Sequence, residues 1–411
     1  MRLSPSSRNA RLHSRAMGSA RAWCSIFAMS AALAACSGRC SKAPGAAGPA
    51  APFRLGPIAA PHAVASPAAF DLVATGDGAV LFFAAPDSQG GVLRAVSLDP
   101  RGATRGRETV VADRAASATP LQVTEVVAAS AGGRLGVAWV TNEANVQTEV
   151  HATYGGADAL VFAPALSLGS SAAIAPGARG RLAMSASEDG VLTLTYRESD
   201  GACESESGTC ARYQHRRIGR PEAAARGSEN NEVRVPCEPL LPGSVWTAGV
   251  WFTAVCSAAA GARSHVFAIR QEPSYAAVYD GPQGCLPVGL VALADGAASV
   301  TACAEGRQVA RLATDGRATE SITRATFTTA CAGGHAELRA TGDSRTIVHP
   351  LSAPQSRLEA LLPPSIALPG SRAVWTGEAL LVASPQGGDL FLRRYACHDG
   401  APELARDDDG P

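Results

Sequence analysis

Cys203 and Cys210 bracket the acidic run "ESES", and the cationic stretch "RYQHRRIGR" follows at once. A stapled loop carrying Glu204 and Glu206 beside Arg212, His215 and Arg216 offers carboxylates and guanidinium groups on a surface connection, where recognition residues concentrate. The same composition suits a solvated insertion kept soluble by charge, with Arg212 to Arg217 as an exposed strand face. Asp77, Asp189, Asp295 and Asp343 recur at similar places along the chain, but beside turn glycines, where Asp is favoured for its backbone geometry rather than for acid–base work. No HExxH, CxxC or HxH spacing points to a metal, and no GxSxG, Walker or Rossmann pattern stands in a credible context. The sequence therefore assigns no catalytic residue, no metal ligand and no cofactor. The tail "ARDDDGP" lacks the ligand alternation of a calcium loop.

The elements that must carry these residues begin with an export segment. Five arginines and no acid occupy the first 35 residues, and the apolar stretch "AWCSIFAMSAALAA" is too short to span a bilayer. Met17 opens a shorter reading that still makes a signal. The stretch ends in "LAAC", Leu33 to Cys36, which resembles the lipobox of bacterial lipoproteins. The resemblance implies cleavage before Cys36, acylation of that residue and, with Ser37 next, sorting to the outer membrane. Cleavage with an unmodified or disulfide-bonded Cys36 is the other reading. More than one acyl chain makes a firm anchor, since each buried methylene contributes about 0.8 kcal/mol.

Residues 36–52, rich in Ala, Pro and Gly, read as a tether able to hold a folded body roughly 50 Å from the bilayer. Without the five signal arginines, 31 basic residues face 36 acidic ones, a balance that disfavours nucleic acid as a partner. Eleven cysteines suit an oxidising compartment.

From Phe53 to Cys397 one pattern returns. "ATGDGAVLFFAA" from Ala74 has relatives at Ala129, Ala186, Trp246, Ala292, Ala340 and Trp375, spaced 55, 57, 60, 46, 48 and 35 residues apart. Each places Gly or Asp between two apolar runs, a β-hairpin signature, and a third and weaker fourth run usually follow. Periods of this length are those of propeller blades, and near-continuous apolar strands mean sheets covered on both faces. The chain resembles seven-bladed β-propellers in period and pattern alone, without WD, YWTD or complete Asp-box signatures. The expected fold is all-β, seven four-stranded antiparallel meanders, with six or eight blades and tandem β-sandwiches as alternatives. The seventh copy lacks a convincing fourth strand, so "FRLGPI", Phe53 to Ile58, is expected to supply it, and residues 398–411 are expected to form a disordered acidic tail.

Cys237 and Cys256 flank the hairpin of the fourth copy, as Cys285 and Cys303 flank that of the fifth. Opposite hairpin ends lie about 4.5 to 5.5 Å apart, close enough for a disulfide. Cys203 with Cys210 makes a third expected bridge; Cys40 with Cys397 would pin the chain ends. Trp139, Trp246, Trp251 and Trp375 read as packing between blades. Propellers of this kind carry ligand sites on the face built from loops between second and third strands and from the connections between blades. Two functions follow: a lipid-anchored, non-enzymatic scaffold in the cell envelope that binds a protein or glycan partner, or a glycan hydrolase or lyase with carboxylates converging at a channel mouth.

Overall fold

The computed structural model describes residues 65–86, 92–112, 121–143, 147–171, 180–187, 189–202, 209–219, 231–236, 243–256, 265–270, 277–332, 335–350, 358–362, 366–398 and 401–404. They form six antiparallel sheets. The first holds β1 (Phe70–Thr75), β2 (Gly78–Ala85), β3 (Val92–Leu98) and β4 (Thr104–Ala112). The second holds β5 (Leu121–Ala131), β6 (Arg134–Glu143), β7 (Gln147–Gly156) and β8 (Leu166–Ser170). The third holds β9 (Leu182–Ala186), β10 (Leu192–Ala202), β11 (Thr209–Ile218) and β12 (Asn231–Pro236). The fourth holds β13 (Gly243–Thr247), β14 (Val250–Cys256), β15 (His265–Arg270) and β16 (Ala277–Asp280). The fifth runs β17 (Leu286–Leu293), β18 (Gly296–Cys303), β19 (Gly306–Ala313), β20 (Ala318–Ala332), β21 (His335–Gly342) and β22 (Arg345–Pro350). The sixth holds β23 (Arg372–Trp375), β24 (Ala379–Gln386), β25 (Asp389–His398) and β26 (Ala401–Leu404).

The first strands pack in a circle, β1 on β5, β5 on β9, β9 on β13 and β13 on β17; the 3-10 turn Leu358–Ala360 joins β17 to β23, and β23 meets β1. The chain is a six-bladed β-propeller. Alternation within each strand sends side chains to both neighbouring blades. Leu72, Leu81 and Phe83 meet Leu381 and Leu392 of the sixth blade, while Val80 and Phe82 meet Val126, Val137 and Trp139 of the second.

Glycine at the head of a second strand has a steric cause. A Cβ on Gly78 or Gly296, at φ 151° and 158°, would stand 2.1 Å from the Leu98 carbonyl oxygen and 1.9 Å from that of Leu312. The third strand passes too close for any side chain there.

Seven blades are not what forms. The sixth sequence copy becomes β21 and β22, which extend the fifth sheet outward instead of starting a new one. β20 pairs with β19 up to Ala325 and, past a left-handed residue at Arg324 (φ 54°), with β21 from Thr326. Only residues 333 and 334 separate β20 from β21. That is a hairpin connection, too short to carry the chain back to the axis, whereas eight positions separate the end of β4 at Ala112 from the start of β5 at Leu121. Leu358, Leu361 and Leu362 fill the wedge between the fifth and sixth blades, against Val291, Ile322 and Trp375.

Closure also differs from expectation. β26 supplies the last blade's fourth strand by pairing with β25, from within the stretch expected to be a disordered tail. Phe53 to Ile58 lies outside the described residues, and among the described residues each sheet comes from one continuous stretch of chain. Among the described residues no helix is long and apolar enough to cross a membrane.

Candidate functional site at one mouth of the ring

The inner edge of a first strand presents backbone N–H groups with no strand beyond to receive them. In this ring carboxylates receive several. Asp71 Oδ2 accepts from Ala128 N at 2.7 Å, linking the first blade to the second. Glu125 accepts from Gly180 N at 2.9 Å and Arg181 N at 3.1 Å, linking the second to the third. Glu359 Oε2 accepts from Ala373 N at 3.3 Å, and its Oε1 from Arg372 Nη1 at 2.8 Å. Arg372 Nε lies 2.9 Å from Asp71 Oδ1, a charge contact joining the last blade to the first. Asp71 is wholly buried and Glu125 is 1% exposed. One guanidinium thus brings two carboxylates inside the roughly 10 Å that separates glycosidase carboxyl pairs. Both, however, are held by the ring itself.

Above this layer, where first strands turn into second strands, a cavity of about 620 Å³ opens. Its walls are the ends of β1, β5 and β23, with Met184 of β9, Leu358 and Glu359 of the wedge, and Asp158 from the turn after β7. The floor is apolar, from Leu72, Val73, Met184 and the largely buried Trp375. The rim is polar, from Thr75, Asp77, Arg134, Asp158 and Glu359. Arg105 Nη1 donates to Asp77 at 2.7 Å, and Arg134 Nη1 donates to the Gly219 carbonyl at 3.4 Å. Thr376 Oγ1 donates to the Pro100 carbonyl at 2.7 Å, fastening the sixth blade to the first beside the cavity. The mixture of apolar floor and few polar rim groups is that of a small-molecule site.

No protein-family model matches the chain, and no curated protein matches it in sequence. Among solved structures it is similar to a prolyl endopeptidase at 13% identity and TM-score 0.42, over 82% of this chain and 49% of that one, so it spans about half of that enzyme. It is similar to the β-propeller domain of the Trilobed protease from Pyrococcus furiosus, described as having an open velcro topology, at 10% identity and TM-score 0.42, over 83% and 98% of the two chains. A GH43_1 enzyme from Xanthomonas citri complexed with xylotriose gives 11% identity and TM-score 0.33, over 84% and 92%. Likeness this distant assigns no activity. The fold assignment rests on the six sheets themselves.

The residues singled out in the sequence do not converge. Glu204, Glu206 and Cys203 lie outside the described residues, as do the side chains of Cys210 and Arg212. The strand ends that flank 203–208 belong to the opposite end of the blade from the β9–β10 turn, hence from the cavity. The cavity therefore sits on the face of first-to-second-strand turns, not on the face where ligand sites were expected. His215 is 6% exposed, not part of an exposed strand face. Thr195 Oγ1 meets its Nδ1 at 2.8 Å, and Trp251 stands edge-on to its ring. Arg216, the next residue, projects to the other side of β11 and covers the Tyr196 ring at 5.7 Å. Period-2 alternation prevents the two from sharing a site.

Cys285 and Cys303 form the expected disulfide, with Cα atoms 4.3 Å apart across β17 and β18. Cys237 and the side chains of Cys256, Cys331 and Cys397 lie outside the described residues, as do Cys36 and Cys40. The turn aspartates serve the fold: Asp295 accepts from Arg311 at 2.8 Å, which holds its carboxyl below the usual range, and Asp343 accepts from Thr323. Sequence reasoning passed over Asp71, Glu125 and Glu359. Their signal was available for two of them, a lone acid inside the apolar first strands "FDLVA" and "TEVVA".

Proposed function

We infer that this protein is a lipid-anchored envelope propeller that recognises a small polyhydroxylated ligand, of the size of a short glycan segment, in the cavity at the mouth of the ring. The cavity carries this reading. Its volume of about 620 Å³ lies within the ~300–1,000 Å³ of ligand sites. Its apolar floor with Trp375 suits the C–H faces of sugar rings, and its carboxylates and Arg134 suit their hydroxyls. A protein partner presenting such a group would reach the same mouth. The anchor is acylated Cys36, as the "LAAC" motif implies; Cys36→Ser should move the protein from the membrane to the soluble fraction.

One observation supports a second reading, a glycan hydrolase or lyase at the same mouth: three carboxyl groups, of Asp77, Asp158 and Glu359, line one cavity. Against it, Glu359 is tied to Arg372 and Ala373 N, and Asp77 to Arg105.

The test is a glycan-panel binding measurement on the mature protein, paired with assays for released reducing ends and for unsaturated products. Binding that Trp375→Ala weakens, without product, supports recognition alone. Product formation that Asp158→Asn or Glu359→Gln abolishes while binding persists supports the enzyme. No binding to any glycan by the wild-type protein overturns both.

A further inference from the structure

The cavity at the mouth has a closed floor. The inner edge of every first strand faces the ring axis, so a bore wide enough for water would leave all of these edges wet. Yet Asp71, Val127, Ala183, Ser244, Leu290 and Ala373, one from each first strand and two to four residues short of its end at the mouth, are 4% exposed or less. Bonds between neighbouring strands draw this layer tight. Ser130 donates to the Ala74 carbonyl, joining β5 to β1; Ser185 Oγ meets Ser244 Oγ at 2.9 Å, joining β9 to β13; and Thr247 donates to the Leu293 carbonyl, joining β13 to β17. Among the described residues neither β13 nor β17 contributes to the cavity walls, which stand on the side of β1, β5 and β23. The entrance, by contrast, is open. Gly76, Gly133 and Gly377 stand at the rim, where a Cβ would meet nothing within 4 Å.

A small-ligand site encloses about 70–90% of its ligand's surface. A sugar unit enclosed to that extent in a cavity with one opening keeps a single path outward, so only one glycosidic link continues from it. An internal unit has two such links, and its chain would have to double back through the mouth, fixing torsions and stripping hydroxyls of water without new partners. On the glycan reading of this cavity, we propose that it receives the terminal unit of a chain and rejects internal ones, so that the protein reads chain ends. A chain cannot thread the ring, because the layer of Asp71 and its counterparts on the other first strands stands across the axis.

Titration calorimetry on the intact mature protein tests this with linear xylan, arabinan, α-1,4-glucan and chitosan, each at one mass concentration before and after partial acid hydrolysis. For a polymer that binds, hydrolysis that shortens its chains about tenfold should raise the number of sites per gram about tenfold and leave the dissociation constant per site within about twofold. Gly76→Trp, which sets an indole at the rim where a Cβ is free of contact, should weaken binding of the fragments about tenfold at an unchanged melting temperature. Equal sites per gram before and after hydrolysis would show that chain interiors are read, overturning this inference while leaving glycan recognition in place. Full affinity in Gly76→Trp overturns it as well, since the ends would then be held elsewhere. No binding by any of these polymers, intact or hydrolysed, overturns it together with the glycan reading of the cavity.

Discussion

His215 shows how burial decides the role of a residue that sequence alone offers as a surface cation. Enclosure first, and the charge of Arg217 second, push its imidazole down from 6.5 to about 3. The folded protein therefore keeps it neutral while the unfolded chain takes up a proton below 6.5. Because the unfolded state binds more protons in that window, stability is flat above pH 6.5 and falls by about 1.4 kcal/mol per pH unit as pH drops toward 3. His151, also lowered by burial, acts in the same sense. Urea midpoints at pH 7, 6, 5 and 4 should shift less in His215→Gln than in the wild type; parallel curves would show that His215 does not set the acid limb. Glu125 gives a second case. Glu125→Ala strips the acceptor from the buried N–H groups of Gly180 and Arg181 and should destabilise by roughly 3 kcal/mol, whereas Glu125→Gln keeps an oxygen in place and should cost less than half as much by chemical denaturation.

At the scale of elements, the β17–β18 hairpin is fastened at its open end by Cys285–Cys303, closing a loop of 18 residues. Cys285→Ser with Cys303→Ser should lower unfolding free energy by about 3 kcal/mol, and a reductant should do the same to the wild type without touching the double variant. That bridge was legible because two cysteines at opposite ends of a hairpin define their own geometry. The hairpins were legible for a related reason: turn glycine between apolar runs is a local requirement, as Gly78 and Gly296 show. Blade number was not. The copy from Ala340 has the strand chemistry of a blade, yet the two-residue link after β20 denies it a path to the axis. Connection length, which the repeat pattern ignores, separates a new blade from an added hairpin. The candidate site was less legible still, since its walls come from the ends of β1, β5 and β23 together with the wedge turn Leu358–Ala360, and no local motif marks them.

At the scale of the whole molecule, the described sheets are each drawn from one continuous stretch, and among the described residues it is side chains that join the ring's two ends. Between the last and first blades those are the apolar cluster around Leu81 and Leu381, the Thr376–Pro100 bond, and the Asp71–Arg372–Glu359 chain of charges. Arg372 lies between two nearly buried acids, so removing it leaves both negative charges without their cation; losing one partner of a buried pair costs roughly 3–5 kcal/mol. Asp71→Asn leaves the Arg372–Glu359 pair intact and should cost less. If closure runs through this contact, Arg372→Gln and Asp71→Asn together should destabilise by about 1–2 kcal/mol less than the sum of the separate effects, because the second change removes a charge the first had stranded. Hydrogen exchange should rise in β1 and β23 in each variant while β9 and β13 stay unchanged, placing the weakness at the junction of the ring's two ends. Strictly additive free energies, or exchange rising evenly around the ring, would show that the apolar cluster closes it alone and that the buried charges serve only the inner-edge N–H groups.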